Sequence, residues 1–208
     1  LMALVKYNNN SISAVTSAPL IPLGALTHIK TLTASSSATL SFVDGADSVV
    51  LDSTYPIYVF KYINMHPATD GTTLGFQANA AGGSGYNETM TTTSFRAFHN
   101  EADNDAALGY VTGNDQANGT AFQSLTDNIG NVSDESASGT LHIFNPSSTT
   151  FVKHFISTSN TYQNSNYSMN TFVAGYFNTT SAIDEIQFKI NSGNIDSGKI
   201  KLYGIKDS

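Results

Sequence analysis

The sequence predicts an all-β fold, a single-domain β-sandwich of jelly-roll type, on three observations. Ser, Thr, Asn and Gly make up about two fifths of the chain; Ser, Asn and Gly are turn formers, while Thr joins Tyr, Phe, Val and Ile in fitting a pleated surface. No long stretch carries a 3.6-residue apolar rhythm, and glutamate is restricted to Glu88, Glu101, Glu135 and Glu185. The chain is 40% hydrophobic and 11% aromatic, too rich for a disordered polymer. At 208 residues a single domain hides roughly 70% of its unfolded surface, so a core forms without staples.

The elements follow in chain order. Residues 1–22 read as an extended arm: a polar Asn8–Ser11 tract and two prolines, Pro19 and Pro22, disfavour a regular strand interior. Residues 23–208 read as the sandwich domain. Leu26–Leu32 and Ala38–Val43 flank a serine-rich turn and are expected to form a hairpin. Tyr55–Met65 is the longest apolar run, with Ile57, Val59, Ile63 and Met65 on one face and Tyr58, Phe60 and Tyr62 on the other. Thr89–His99 is the next expected strand. Asn100–Ser138 is polar and rich in Asp, Asn and Gly, and a long loop of that kind is uncommon unless it binds something or contacts a partner. Gly139–Asn145 and Thr150–Ser157 bracket the turn residues Asn145–Thr149 and read as a hairpin. Asn170–Phe177 is again apolar on both faces. The chain closes with the alternating Ile186–Ile190, a turn-rich linker over Asn191–Gly198, and a final strand at Ile200–Leu202 with Ile200 and Leu202 inward.

Composition excludes several function classes. With no cysteine, a disulfide framework, a thiolate metal site and a cysteine nucleophile are ruled out. Net charge is −7 and Arg96 is the sole arginine, so no cationic groove exists to neutralise phosphates, and nucleic acid is not an expected partner. No apolar run approaches the roughly 20 residues that span a bilayer, so membrane insertion is not expected.

Catalytic and metal-binding patterns are weak. The five histidines (His28, His66, His99, His142, His154) lack the spacings that set two imidazoles on one metal; only His142 and His154 fall on the arms of one hairpin. Glu101, Asp103 and Asp105 alternate in a loop without the spacing of a calcium hand. Gly82-Gly83-Ser84-Gly85-Tyr86 misses a nucleophile elbow at its last position. We therefore expect no catalytic residues, no cofactor and no metal. Tyr162, Tyr167 and Asn164, in an otherwise polar stretch, form the candidate glycan-binding group, because tyrosine rings stack on sugars while amides hydrogen-bond their hydroxyls. Tyr58, Phe60, Tyr62, Phe172 and Tyr176 are the candidate oligomer interface, since strands apolar on both faces need a cover beyond the opposing sheet.

Two terminal segments carry a resemblance. Met2-Ala3-Leu4-Val5-Lys6-Tyr7-Asn8-Asn9-Asn10-Ser11-Ile12-Ser13 is similar to the opening of small virion structural proteins of tailed bacteriophages, particularly marine ones. Gly193-Asn194-Ile195-Asp196-Ser197-Gly198-Lys199-Ile200-Lys201-Leu202-Tyr203-Gly204-Ile205 resembles the Ser-Gly-x-Ile-x-Leu-Tyr-Gly-Ile ending of such proteins, and similar endings occur in sugar-binding jelly rolls. The resemblance implies a virion component (capsid decoration, tail or fibre) with no catalytic motif, assembled in the bacterial cytoplasm and acting in the extracellular particle. Its expected partners are copies of itself, a homotrimer being favoured, and other virion proteins. The alternative is a receptor-binding module for a host surface glycan.

Overall fold

The computed structural model describes residues 25–207; the arm expected over 1–22 lies outside them. The described residues form twelve strands and no helix: β1 (Leu26–Ser37), β2 (Leu40–Val43), β3 (Ile57–Pro67), β4 (Leu74–Ala80), β5 (Met90–Asn100), β6 (Ala106–Tyr110), β7 (Gln123–Ser124), β8 (Ala137–Phe144), β9 (Lys153–Gln163), β10 (Tyr167–Phe177), β11 (Ile183–Ile190) and β12 (Ile195–Ile205). Every strand pairing is antiparallel. One sheet has eight strands in the order β1-β12-β3-β8-β9-β10-β5-β6, the other four in the order β2-β11-β4-β7. Packed face to face, they make the β-sandwich that the composition predicts.

The pairings are nested. β1 pairs β12 and β3 pairs β8 in the large sheet, while β2 pairs β11 and β4 pairs β7 in the small one. The successive pairs thus alternate between the two sheets. The hairpins β5–β6 and β9–β10 then widen the large sheet on one side. The nesting also corrects the first expected hairpin: β1 and β2 belong to different sheets, and the turn after Ser36, a non-glycine residue at φ 48°, carries the chain across.

Phenylalanines join the layers. Phe42 of β2 meets Phe60 of β3 edge to face at 5.2 Å, and Phe188 of β11 lies 5.5 Å from Phe60. Phe76 of β4 meets Phe155 of β9 edge to face at 5.0 Å and reaches Phe177 of β10 at 6.0 Å. Such aromatic pairs contribute about 0.5–1.5 kcal/mol each beyond the area they bury. Thus β2 and β11 cover β3, and β4 covers β9 and β10.

This packing corrects part of the expected oligomer interface. Tyr58, Phe60 and Tyr62 are fully buried within this one chain, so they are core and offer no surface to a neighbouring copy. Met65, expected on the opposite face, is also fully buried. The register of β3 shifts between Tyr62 and Met65, where Asn64 takes a left-handed φ of 51°; that bulge returns Met65 to the core side. A matching irregularity in β12 lies at Gly198, φ 126°, where a β-carbon would stand 2.8 Å from Asn64 O. Ile195–Gly198, expected as linker, therefore continues the last strand through this paired bulge. On the outer face Val59 is 2% exposed, flanked by its cross-strand partners His142 and Tyr203.

Strand β4 was not foreseen. Its sequence, Leu74-Gly75-Phe76-Gln77-Ala78-Asn79-Ala80, is buried at every position although Gly, Ala, Gln and Asn are weak strand formers. The Tyr62 hydroxyl lies 3.1 Å from Ser157 Oγ, and burial pushes its pKa up to about 12. A tyrosine that ionises later in the folded chain contributes stability that is fully present below pH 10 and is lost as pH rises towards 12. We predict that denaturant titrations show stability falling between about pH 10 and pH 12, by about 2–3 kcal/mol from this group. Tyr62→Phe should remove that share of the fall while lowering neutral-pH stability by about 1 kcal/mol through the lost hydrogen bond.

Candidate functional site

Strands are spaced about 4.8 Å apart, so eight span about 34 Å and four only about 14 Å. The inner face of the large sheet therefore extends beyond the small sheet on the side of β5 and β6, past the parts of β9 and β10 that β4 covers. The long polar segment after β6 covers part of it. That segment first completes the edge of β5: Thr92 N–H donates to Gln116 O at 2.9 Å, and Met90 and Gly119 exchange bonds at 2.7 and 2.9 Å. It then crosses to the small sheet, where β7 pairs β4 and Leu125 N–H donates to Leu74 O at 2.8 Å.

Two buried glutamines clamp this crossing. Gln77 Nε2 donates to the carbonyls of Glu88, Thr120 and Ala121 at 3.0–3.1 Å. Gln123 Nε2 donates to Asn114 O at 2.7 Å, and its Oε1 accepts from Thr92 Oγ1 at 2.7 Å. Each satisfied amide stabilises, and each orphaned one would cost about 1–3 kcal/mol. Leu125, Thr126 and Ile129 are fully buried by the result. Much of the polar run at Asn100–Ser138, expected to bind something or contact a partner, is thus cover for the core, while Asp105 and Asn128 within it border the cleft described next.

Where the cover ends, a cleft of about 320 Å³ opens, lined by Arg96, Phe98, Asp105, Gln163, Tyr167 and Met169 among others. Alternation along β5 buries Met90, Thr92 and Ser94 and turns Arg96 and Phe98 to the same inner face. Arg96 is ion-paired with Asp127 of the covering segment, and its guanidinium lies 5.7 Å from the centre of the Phe98 ring. Tyr167 meets Phe98 edge to face at 5.6 Å and donates to Asp105 Oδ2 at 2.8 Å. That bond to a carboxylate holds the Tyr167 hydroxyl above the usual tyrosine range. A second cleft of about 290 Å³, bounded by β6, shares Arg96 and Phe98.

Of the three expected glycan residues, Tyr162 and Tyr167 both border a cleft of about 290 Å³ together with His99, Asn100 and Asn160, whereas Asn164 lies outside its lining; the two rings themselves point to opposite faces of the sheet. Tyr167 is on the inner face beside Phe98. Tyr162 shares the outer face with its register partner Ser168; its hydroxyl lies 3.4 Å from Asn166 Oδ1 and is held above the usual range by the Glu101 carboxylate. Asn164 sits at the hairpin tip, where its N–H donates to Asn128 O at 3.1 Å and its side chain to Asp70 Oδ2 at 3.3 Å. Odd and even positions of a strand point to opposite faces, and the sequence window alone does not register that separation for Tyr162 and Tyr167. Arg96, Phe98 and Asp127 were missed; the signal available was the sole arginine standing two residues before a phenylalanine.

The other two expected interface residues, Phe172 and Tyr176, are half-buried on the outer face of β10. Phe172 stacks on Phe95 of β5 at 4.7 Å with their planes 8° apart. His142 and Ile156 are register partners, so His142 and His154 lie diagonally across the β8–β9 pair. Among the described residues no group of three or more His, Asp or Glu side chains is placed to hold a metal. Glu101, Asp103 and Asp105 do not converge: Glu101 faces Tyr162, Asp103 lies 3.0 Å from His99 Nε2, and Asp105 accepts from Tyr167. Comparison with protein-family models, with curated proteins and with solved structures finds no match to this chain.

The Arg96–Asp127 pair ties the covering segment to β5, with Asp127 buried and Arg96 partly open. Asp127→Asn should lower unfolding stability by about 1–3 kcal/mol, between the values for exposed and buried pairs. Arg96→Leu in the same background should add little further loss, which a double-mutant cycle by denaturant titration reads directly.

Proposed function

We propose that the chain is a structural, non-catalytic component of a bacteriophage virion that assembles with copies of itself. The observation that carries the self-assembly is an apolar strip on the outer face of the widened sheet. Tyr110 pairs Phe95, Phe95 pairs Phe172, and Ala174 pairs Ile156, so these rings and side chains share one face. Phe95 is 43% exposed, Tyr110 54%, Leu108 72% and Ile156 51%. Contiguous exposure of this kind marks interaction surfaces. The strip runs out to β6, whose far edge carries no partner strand among the described residues and is exposed at every position; an uncovered edge is a template for pairing.

The virion assignment draws its support from the two terminal segments similar to phage structural proteins and from the chemistry of the fold. Nested strand pairs of jelly-roll kind, no thiol to oxidise and a surface of hydroxyls and amides suit a particle protein. The trimer is the state implied by the resemblance; closing such a ring takes two different surfaces, the strip of one copy against another surface of the next, such as the exposed β6 edge.

Light scattering coupled to gel filtration should give a homo-oligomer at micromolar concentration. The double substitution Phe95→Asp, Phe172→Asp should raise the dissociation constant at least 100-fold, about 3 kcal/mol, while leaving the strand signature in circular dichroism intact. A wild-type monomer at 100 micromolar would contradict the assembly. Antibody against the chain should decorate particles of the phage that encodes it, and bare particles would contradict the virion assignment.

A further inference from the structure

The outer strip accounts for one face of the widened sheet; the inner-face cleft answers a different question and stands independently of self-assembly. We propose that the groove centred on Phe98 binds a neutral oligosaccharide, with Phe98 as the stacking ring and Asp105, Tyr167 and Gln163 as the hydroxyl-reading groups.

The lining carries two kinds of chemistry side by side. Phe98 and Met169 supply an apolar floor, while Asp105, Asn128, Gln163 and Tyr167 supply carboxylate, amide and phenol groups around it. A pyranose has a C–H face and a rim of hydroxyls, each both donor and acceptor, and it satisfies both kinds at once. A purely apolar ligand would leave the polar margin unpaired, at a cost of about 1–3 kcal/mol per buried group.

Charge selects against an acidic sugar. The Arg96 charge is already matched by Asp127, and Asp105 adds a further carboxylate that accepts from the neutral Tyr167 hydroxyl. The groove is therefore net negative, and a uronate, sulfate or phosphate group would enter against that field.

The ring is also held in place before any ligand arrives. Arg96 lies over Phe98 and Tyr167 abuts it edge-on; Tyr167 is in turn anchored to Asp105. A platform that does not reorganise keeps more of its binding energy. The backbone beside it is unusually polar. Ser94, Thr161 and Thr171 carry buried hydroxyls with no hydrogen-bond partner. Thr171 is the register partner of Arg96, and Thr161 that of Met169. All three are fully buried and stand outside the cleft lining, so they make the neighbouring core polar without touching a ligand.

Extent argues for a chain over a single sugar. Clefts of about 320 and 290 Å³ meet at Arg96 and Phe98, so the groove continues on both sides of the ring. Each is near the lower end of small-molecule sites, and together they accommodate successive residues of a linear saccharide.

The test is an amide-shift NMR titration of the full chain with neutral oligosaccharides (maltopentaose, isomaltopentaose, mannopentaose, chitopentaose) and, in parallel, with pentagalacturonate. The expected result is that at least one neutral sugar at millimolar concentration shifts the amides of residues 96–98 and 163–169, and that pentagalacturonate does not. Phe98→Ala should weaken that binding at least tenfold, and Tyr167→Phe, which removes one hydroxyl and keeps the ring, at least threefold. Tyr162→Ala, on the opposite face, should leave it unchanged. No shift with any neutral sugar, a response to pentagalacturonate alone, or binding lost in Tyr162→Ala but kept in Tyr167→Phe would each overturn the proposal.

Discussion

A sheet of eight strands laid against a sheet of four cannot be covered by strands alone, and the remainder of its inner face must be sealed by irregular chain or left open. Both solutions occur. The segment between β6 and β8 seals the region over Ser159, whose hydroxyl donates to Leu125 O at 2.7 Å, and stops at the Arg96–Asp127 pair. Beyond that pair the sheet is open and the cleft begins. On the other side of the molecule the phenylalanine joint made by Phe42, Phe60 and Phe188 needs no such cover, because β2 and β11 lie directly over β3.

The same mismatch explains why a chain with so few charges folds with so polar an interior. Irregular cover brings peptide groups into the core that no ladder satisfies, and amides and hydroxyls must satisfy them. Gln77 and Gln123 each serve several carbonyls, Thr126 Oγ1 accepts from Leu74 N–H at 2.8 Å, and Ser159 reaches the cover from β9. Lys153 is a harsher case: it is fully buried, its ammonium donates to Thr179 O at 3.1 Å, and burial lowers its pKa. Asparagine does a further job at turns, where Asn118, Asn128, Asn145 and Asn166 all take left-handed backbone conformations that most side chains avoid.

The layered all-β architecture was legible because it rests on local chemistry. Turn residues punctuate strand formers, and alternation at Ile186–Ile190 and Ile200–Leu202 marks inward positions that are buried as expected. What was not legible depends on distant partners. The inward direction of Tyr58, Phe60 and Tyr62 is set by β2 and by β11, the latter far along the chain, so apolar character on both faces of β3 reads equally as core or interface. The polar side chains of strand β4 find distant partners, Gln77 in the carbonyls of Glu88, Thr120 and Ala121 and Asn79 in Glu185 of β11. Tyr162 and Tyr167 are five residues apart with a tight turn between them, and only the pairing register places them on opposite faces. Arg96 and Asp127 become a pair only once the covering segment has folded back onto β5.

The proposed self-association through the outer face and the proposed ligand in the inner groove are compatible, since they would use opposite sides of the same strands. Both depend on the covering segment being part of the folded sandwich. Native-state hydrogen exchange tests this most directly, at the amides of Leu125 and Ile129, which donate to Leu74 O at 2.8 Å and Thr72 O at 2.6 Å. They should exchange within about tenfold of the rates of β4 itself, as members of one cooperative unit. Exchange at the rate of an open loop, with β4 still protected, would contradict the account.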